Sequence, residues 1–378
     1  MSSATGVSEF IRWDTVVVPR SEPMCRRMIR EERVHSIAVA GHLCLDVTPR
    51  LGDEARIDPG ALFDVGPLSI TLGGAVANTG TALTNLGLDV VPYGTVGDDE
   101  LGRLLLTKLA TEGFRDPHLS VSPSLATSYS VVIQQPGTDR TFWHHTGANA
   151  EFDGSAVTVA GHGLLHVGYP PLLPGLLDHD GAKLQELFER AHAEGVTTSL
   201  DLAVVDPHSA VGALDWAAIH ASVFPRTDIL TPSFDDLTSA LHIDETYTPE
   251  LVHTLADQLI DQGVAIVAIS AGEHGLHLRT GSAERLRKGG AVVEPLADGW
   301  ADCSITIPPL TVPHPVTTTG TGDASTAGLL YGLTRGGTPE QSLALAVACS
   351  AAVMDGSGVS PEHLVRLDPA LSEIIAPE

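Results

Sequence analysis

"TTTGTGDASTAGLLYGL" occupies residues 317–333. An apolar, helix-like run follows a loop carrying Gly320 and Gly322, and one carboxylate, Asp323, stands at the junction. Unpaired backbone N–H groups at a helix start converge on one spot. The helix dipole adds partial positive charge there. Glycine lets an anion such as phosphate approach the backbone closely. An acid in such a loop is unfavourable beside phosphate unless it takes a proton from an attacking hydroxyl. The same residues also read as a tight turn with an aspartate capping a helix. GTGD alone does not separate the two readings.

Outward from this stretch, the chain alternates strands and helices. "VHSIAVAGHLCLDV" (34–47) reads as a buried strand ending at Asp46, and "DVVPYGTVG" as another. "DDELGRLLLTKLATEG" reads as an amphipathic helix with acids at its start. From about residue 160, strands "GLLHVG", "VTTSLDL", "TDILTP" and "VAIVAISAG" alternate with helices near 181–194, 234–241 and 249–262. This order predicts an α/β fold with a mostly parallel central sheet flanked by helices. Two β-rich excursions, at about 49–71 and 119–146, are expected to pair into a small β-sheet lid at the strand ends. "TSYSVVIQQPGTDRTFWHH" within the second reads as a hairpin. Residues 1–33 read as an N-terminal extension, and 34–378 as the main domain.

Composition narrows the function classes. The chain has 378 residues, 43% of them hydrophobic, and a formal net charge of −26. That balance argues against a nucleic-acid partner, which needs a basic face. Cys25, Cys44, Cys303 and Cys349 form no CxxC or zinc spacing and read as free thiols in a reducing compartment. No signal peptide or membrane-spanning run is expected, and the expected location is cytoplasmic. No GxGxxG follows an early strand and no GxxxxGK[ST] occurs, which disfavours dehydrogenase and P-loop readings.

"GGAVANTG" (73–80) is a second site candidate. Gly73 and Gly74 permit backbone contact with a ligand, and Asn78 offers donor and acceptor to sugar hydroxyls. Asp46 falls where α/β proteins bind ligands. Each residue alone is also an ordinary turn or helix-end residue.

Together these stretches resemble the pfkB-type, ribokinase-like carbohydrate kinases, from about Val34 to Pro361. "TLGGAVANTGTALTNLGLDVVPYGTVGDDELGRLLLTKL" is similar to the family's N-terminal signature, and "TTTGTGDASTAGLLYGL" to its C-terminal one. "TFWHHTGAN" and "VAISAGEHGLHL" fall between them in the expected order. The resemblance implies a ribokinase-like fold and an ATP-dependent kinase acting on a hydroxyl of a sugar or sugar-like molecule. It implies Asp323 as general base, with Gly320, Thr321 and Gly322 as the anion hole. It implies Asp46, Gly73, Gly74 and Asn78 at the substrate, and Ser270, Gly272 and Gly275 at the nucleotide. Mg²⁺ with ATP is the implied cofactor, and a homodimer through the lid the expected assembly.

Two departures stand out. Thr317 replaces an aspartate that helps relatives bind a monovalent cation, so dependence on K⁺ is not carried over. In "TPSFDDL", Ser233 and Asp236 stand where relatives have Asn and Glu, which leaves Asp236 to reach Mg²⁺ through water. His144 and His145, adjacent on a strand, point to opposite faces and read as lid residues rather than a metal pair. A nucleoside kinase of the same fold and a non-catalytic sugar-binding relative are the competing readings. Asp323 argues against the latter, because a pure binder needs no base there.

Overall fold

The run SIAVAG is apolar throughout, and in the computed structural model of the chain it forms β1 (Ser36–Gly41), buried on both faces as interior parallel strands are. The structure describes residues 36–52, 58–114, 117–134 and 140–375. The expected extension at 1–33 lies outside them.

The strand reading at 34–47 divides in two. Gly41 adopts φ +121°, closed to most side chains, and a Cβ there would lie 2.5 Å from the Gly168 carbonyl. The chain turns at this point, and β2 (Cys44–Pro49) enters a second sheet. Asp46 therefore sits within β2 rather than at the end of β1.

The remaining strands are β3 (Leu68–Gly73), β4 (Val90–Gly97), β5 (His118–Ser122), β6 (Tyr129–Ile133), β7 (Thr141–His145), β8 (His162–Gly168), β9 (Thr197–Asp201), β10 (Ile229–Leu230), β11 (Ile266–Ser270), β12 (Leu276–Thr280) and β13 (Ser304–Ile307). The large sheet runs β13-β12-β11-β10-β9-β8-β1-β4-β5, and the small one β3-β2-β6-β7. The large sheet is parallel from β11 to β5, with β12 and β13 added antiparallel at one edge. This is a large, mostly parallel α/β sheet with a small separate sheet, the architecture that the sequence resemblance implies.

Of the excursion at 119–146, β5 belongs to the large sheet. A helix, α2 (Glu100–Thr111), connects β4 to β5, and such a crossover makes its two strands parallel neighbours. The small sheet keeps β6 and β7, paired antiparallel as the hairpin reading expected. Burial alternates along β6, so one face of this sheet is covered.

The helix preceding α2 is α1 (Ala75–Asn85). Those that follow are α3 (Pro174–Ala193), α4 (Trp216–Val223), α5 (Phe234–Leu241), α6 (Pro249–Asp261), α7 (Ala283–Leu286), α8 (Gly290–Val293), α9 (Ala297–Trp300), α10 (Thr321–Thr334), α11 (Pro339–Met354) and α12 (Pro361–Leu367). No described helix is long and apolar enough to cross a membrane.

The helix that begins at the GTGD loop is α10, buried nearly all round by α1 and α11, and its sequence is accordingly apolar on every side. Gly328 and Gly332 allow the close approach of α11. A Cβ on Gly328 would lie 2.6 Å from the Leu345 carbonyl, and one on Gly332 2.5 Å from Ser342 Oγ. Gly328→Val is expected to destabilise the fold by about 1–3 kcal/mol through overpacking. Thermal unfolding would show this as a lowered midpoint, and an unchanged midpoint would refute the close packing.

Candidate active site

The start of α10 is open toward solvent at its loop and closed at its acid. Gly320 is the N-cap residue at φ 78°, and no side chain caps the helix. The Thr321 N–H reaches the Thr318 carbonyl at 3.5 Å, and the other first-turn N–H groups are left for another acceptor. A Cβ on Gly322 would meet nothing within 4 Å, so this loop borders free space. The Thr321 hydroxyl is directed back into the loop, donating to the Thr318 carbonyl at 2.9 Å. Thr317 Oγ1 accepts from the Thr319 N–H at 3.0 Å, a loop contact within reach of its shorter, uncharged side chain.

Asp323 is only 2% exposed. Asn78 Nδ2 donates to its Oδ2 at 2.9 Å, and Thr79 Oγ1 to its Oδ1 at 3.2 Å. Both donors lie on the first turns of α1, so the two signature stretches meet at this carboxylate. Burial raises the Asp323 pKa above the ordinary aspartate value, and the Asn78, Tyr169 and Thr79 contacts oppose that rise. A carboxylate so placed is a stronger base than one in water.

The N-cap of α1 is Gly74, at φ 87°. A Cβ there would lie 2.5 Å from the His42 carbonyl, and one on Gly73 would lie 2.6 Å from the Asp46 carboxylate. The glycine pair therefore brings α1, the His42 turn and Asp46 into one place. Asp46 is buried, and that burial raises its pKa. The Cys44 thiol points at its Oδ1 from 3.6 Å.

Ser270, Gly272 and Gly275 are brought to the other side of the loop. With Thr321, Gly322, Leu310 and the α11 residues Val347, Ala351 and Met354 they line a cleft of about 620 Å³. One wall is apolar and the floor carries the loop. A smaller recess beside it is lined by Thr231, Ser270, Gly322, Ser325 and Thr326.

Asp236 lies at the start of α5. Its Oδ2 accepts from the Ser233 N–H at 2.7 Å, and Ser233 Oγ accepts from its own N–H at 3.0 Å, a reciprocal capping box. Burial raises its pKa to about 6, with the Asp323 charge adding to the rise. Asp201, at the end of β9, is pushed well above its usual value by burial and by the Asp323 and Asp236 charges. Three carboxylates thus share one electrostatic environment.

Asp201, Tyr169, Thr79 and His42 join the site without having been singled out in the sequence. Asp201 carried a usable signal, since it ends the strand TTSLD as a ligand-facing residue does. Tyr169 carried none: it takes φ 65°, a left-handed conformation rare for an aromatic residue, and contacts Asp323 across more than a hundred intervening residues. His162 and His166 lie apart from this group, hydrogen-bonded to Ser36 and Ser199.

Comparison with known proteins gives a consistent result. The pfkB family carbohydrate kinase profile matches residues 34–363. A 1-phosphofructokinase of Rhodobacter capsulatus is 27% identical, over 83% of this chain and 92% of the relative. A probable fructokinase-7 of Arabidopsis thaliana is 24% identical, over 78% and 77%. Among solved structures, a ribokinase of Thermotoga maritima superposes with a TM-score of 0.66 at 19% identity, covering 88% of this chain and 99% of that one. An Arabidopsis thaliana ribokinase complexed with ribose and ATP gives 0.66 at 18% identity, covering 88% and 98%. The structural likeness establishes the fold, and the profile match across most of the chain establishes the lineage: this chain belongs to the pfkB family of carbohydrate kinases.

Proposed function

We propose that the protein transfers the γ-phosphoryl group of Mg·ATP to a hydroxyl of a sugar or sugar-like molecule, with Asp323 as the general base. The observation that carries this reading is the buried Asp323 carboxylate, held by Asn78 and Thr79 beside an uncapped helix start. In this reading the acceptor hydroxyl loses its proton to Asp323 while its oxygen bonds to the γ-phosphorus. The bond from phosphorus to the β–γ bridging oxygen breaks, and ADP leaves. The N–H groups of the Gly320–Gly322 loop stabilise charge on the transferring oxygens. Ser270, Gly272 and Gly275 hold the nucleotide in the cleft. Asp46, Gly73, Gly74 and Asn78 hold the acceptor.

The donor set suits a hard cation. The Asp323 charge adds to the rise that burial produces at Asp201 and Asp236, and Asp236 adds to that at Asp201, with no lysine or arginine offsetting them. Mg²⁺ retains several waters and takes oxygen ligands. Asp236 would hold it through water, with Asp201 beside it, and the ion would supply charge neutralisation at the phosphates. The small sheet serves as a lid that excludes water from the reacting groups. The small sheet leaves Leu68, Phe142 and Trp143 about half exposed, the last two on opposite faces of β7, and these open apolar side chains favour a homodimer formed lid to lid.

Three outcomes test the reading. Asp323→Asn is expected to lower kcat by about 10²–10⁴-fold in an ADP-release assay, the range for loss of a general base. Chelation of Mg²⁺ should silence the wild type as well, and equal turnover by the variant would remove Asp323 from its role. The second concerns pH. A raised carboxyl pKa means that the ionised base is lost as pH falls through a value above the ordinary aspartate one, about 3.9. Asn78→Ala removes a donor that favours the charged form, so the acid limb of kcat should move to higher pH. A limb that stays in place would show that Asn78 does not tune the base. Third, sedimentation should show a dimer that Trp143→Asp weakens, and a monomer at all concentrations would exclude the lid-to-lid assembly.

A further inference from the structure

Between the body and the small sheet lies a pair of histidines that the transfer step does not use. His42 sits in the link between β1 and β2, and His144 lies in β7. Their rings meet edge to face with centroids 5.0 Å apart, and the His42 ring lies 5.9 Å from that of Tyr169. His42 is 3% exposed, and neither of its ring nitrogens has a hydrogen-bond partner. His144 Nδ1 meets Ser130 Oγ at 3.1 Å, while its Nε2 is buried without a partner. Buried polar atoms are nearly always bonded, so three bare ring nitrogens in one small volume call for a partner that is not part of the protein.

Their position names the partner's location. A Cβ on Gly74 would lie 2.7 Å from His42 Nδ1. Ser130, which contacts His144, is paired in register with Asp46 on the neighbouring strand. Tyr169 connects the His42 ring to Asp323. The two rings thus lie between Asp46, Gly74 and the base, where the proposed acceptor binds.

Their chemistry names its class. Burial lowers the pKa of His42 well below the usual histidine value and that of His144 to about 4, and each ring also feels a neighbouring histidine. A neutral imidazole offers one N–H donor and one acceptor nitrogen. Hydroxyl groups, which both donate and accept, complement that pattern. A phosphate or carboxylate instead needs a guanidinium or ammonium group, and here it would meet Asp46 and Asp323. Arg140, on the same face, is directed to the Thr318 hydroxyl beside the GTGD loop, and its charge acts on Asp46 and opposes the rise in that carboxyl's pKa, so this cation is already balanced by a carboxylate.

We propose that His42 and His144 form the subsite that recognises the non-reacting hydroxyls of an uncharged sugar, and that sugar phosphates and sugar acids are rejected there. The inference rests on the kinase reading above. Its test uses the full chain with Mg·ATP, measuring ADP release with D-fructose and D-ribose against fructose 6-phosphate and 2-dehydro-3-deoxygluconate. A neutral sugar is expected to show a kcat/KM at least tenfold above either anion. His42→Leu and His144→Leu should each raise KM for that sugar at least tenfold, with a smaller change in kcat. The unfolding temperature of the ligand-free His42→Leu variant should not fall, because leucine removes two unpartnered polar atoms from the interior, whereas His144→Leu also breaks the contact with Ser130 Oγ and is read by its KM. A merely structural histidine would give the reverse, lower stability with KM unchanged, and that result overturns the proposal. Preference for an anionic substrate overturns it too while leaving the kinase reading intact. Absence of turnover with all four compounds tells against both.

Discussion

The constraint on which the site depends is a carboxylate buried without a described cation beside it. Asp323 is held by the Asn78 amide and the Thr79 hydroxyl. Desolvation of an anion is costly, and these two donors together with Tyr169, all uncharged, offset only part of that cost. The residual shows as a pKa above the ordinary value. A fully compensated carboxylate, paired with arginine, would be a weak base. An uncompensated one would be protonated. The arrangement lies between these limits because α1 supplies dipoles rather than charge.

That balance depends on backbone geometry more than on side chains. Asn78 and Thr79 reach Asp323 because α1 and α10 both begin at glycines in left-handed conformations, Gly74 and Gly320, and pack against each other. The Gly41 turn then sends the chain out of the large sheet after β1, so that Asp46 approaches the same point from the small sheet. Gly73, with no Cβ, is what lets the Asp46 carboxylate lie against the start of α1. Three tight turns therefore converge on one place, and any side chain added at Gly41, Gly73 or Gly74 meets an atom closer than a normal contact.

Much of this was readable from residue order, and the limits have physical causes. The apolar runs at β1, β8 and β11 and the alternation of strands with helices sufficed for a parallel sheet, because period and burial are local properties. The glycine-rich signatures located the two helix starts for the same reason. The division of 34–47 into two strands was hidden, since VHSIAVAGHLCLDV is apolar on both sides of Gly41 and only tertiary pairing separates β1 from β2. The placement of β5 was hidden because HLSVS alternates like a lid strand, although the α2 crossover binds it to β4. Asp201 had a local signal in its place at the end of β9, but Tyr169 reaches Asp323 only through the fold. His42 was unreadable as a site residue because its distinguishing property, two bare ring nitrogens, exists only once the interior is assembled.

The distribution of charge at the site is the last consequence. The Asp323 charge opposes the ionisation of Asp201 and Asp236 in a protein that already carries a net charge of −26. Such a cluster lowers stability in the free protein, because each carboxylate is desolvated beside others of the same sign. It is also a poor place for a bare polyphosphate. Under the proposed function, the same cluster would become favourable once the nucleotide arrived with its metal ion, because the cation would offset both the protein's carboxylates and the phosphate oxygens. The capping box at α5 fits this account. It commits one oxygen of Asp236 to the Ser233 N–H and fixes the orientation of the other. Under the proposed function, the short Asp236 side chain would reach the metal through a water molecule. In this view the site is built to be incomplete until its charged ligand is bound.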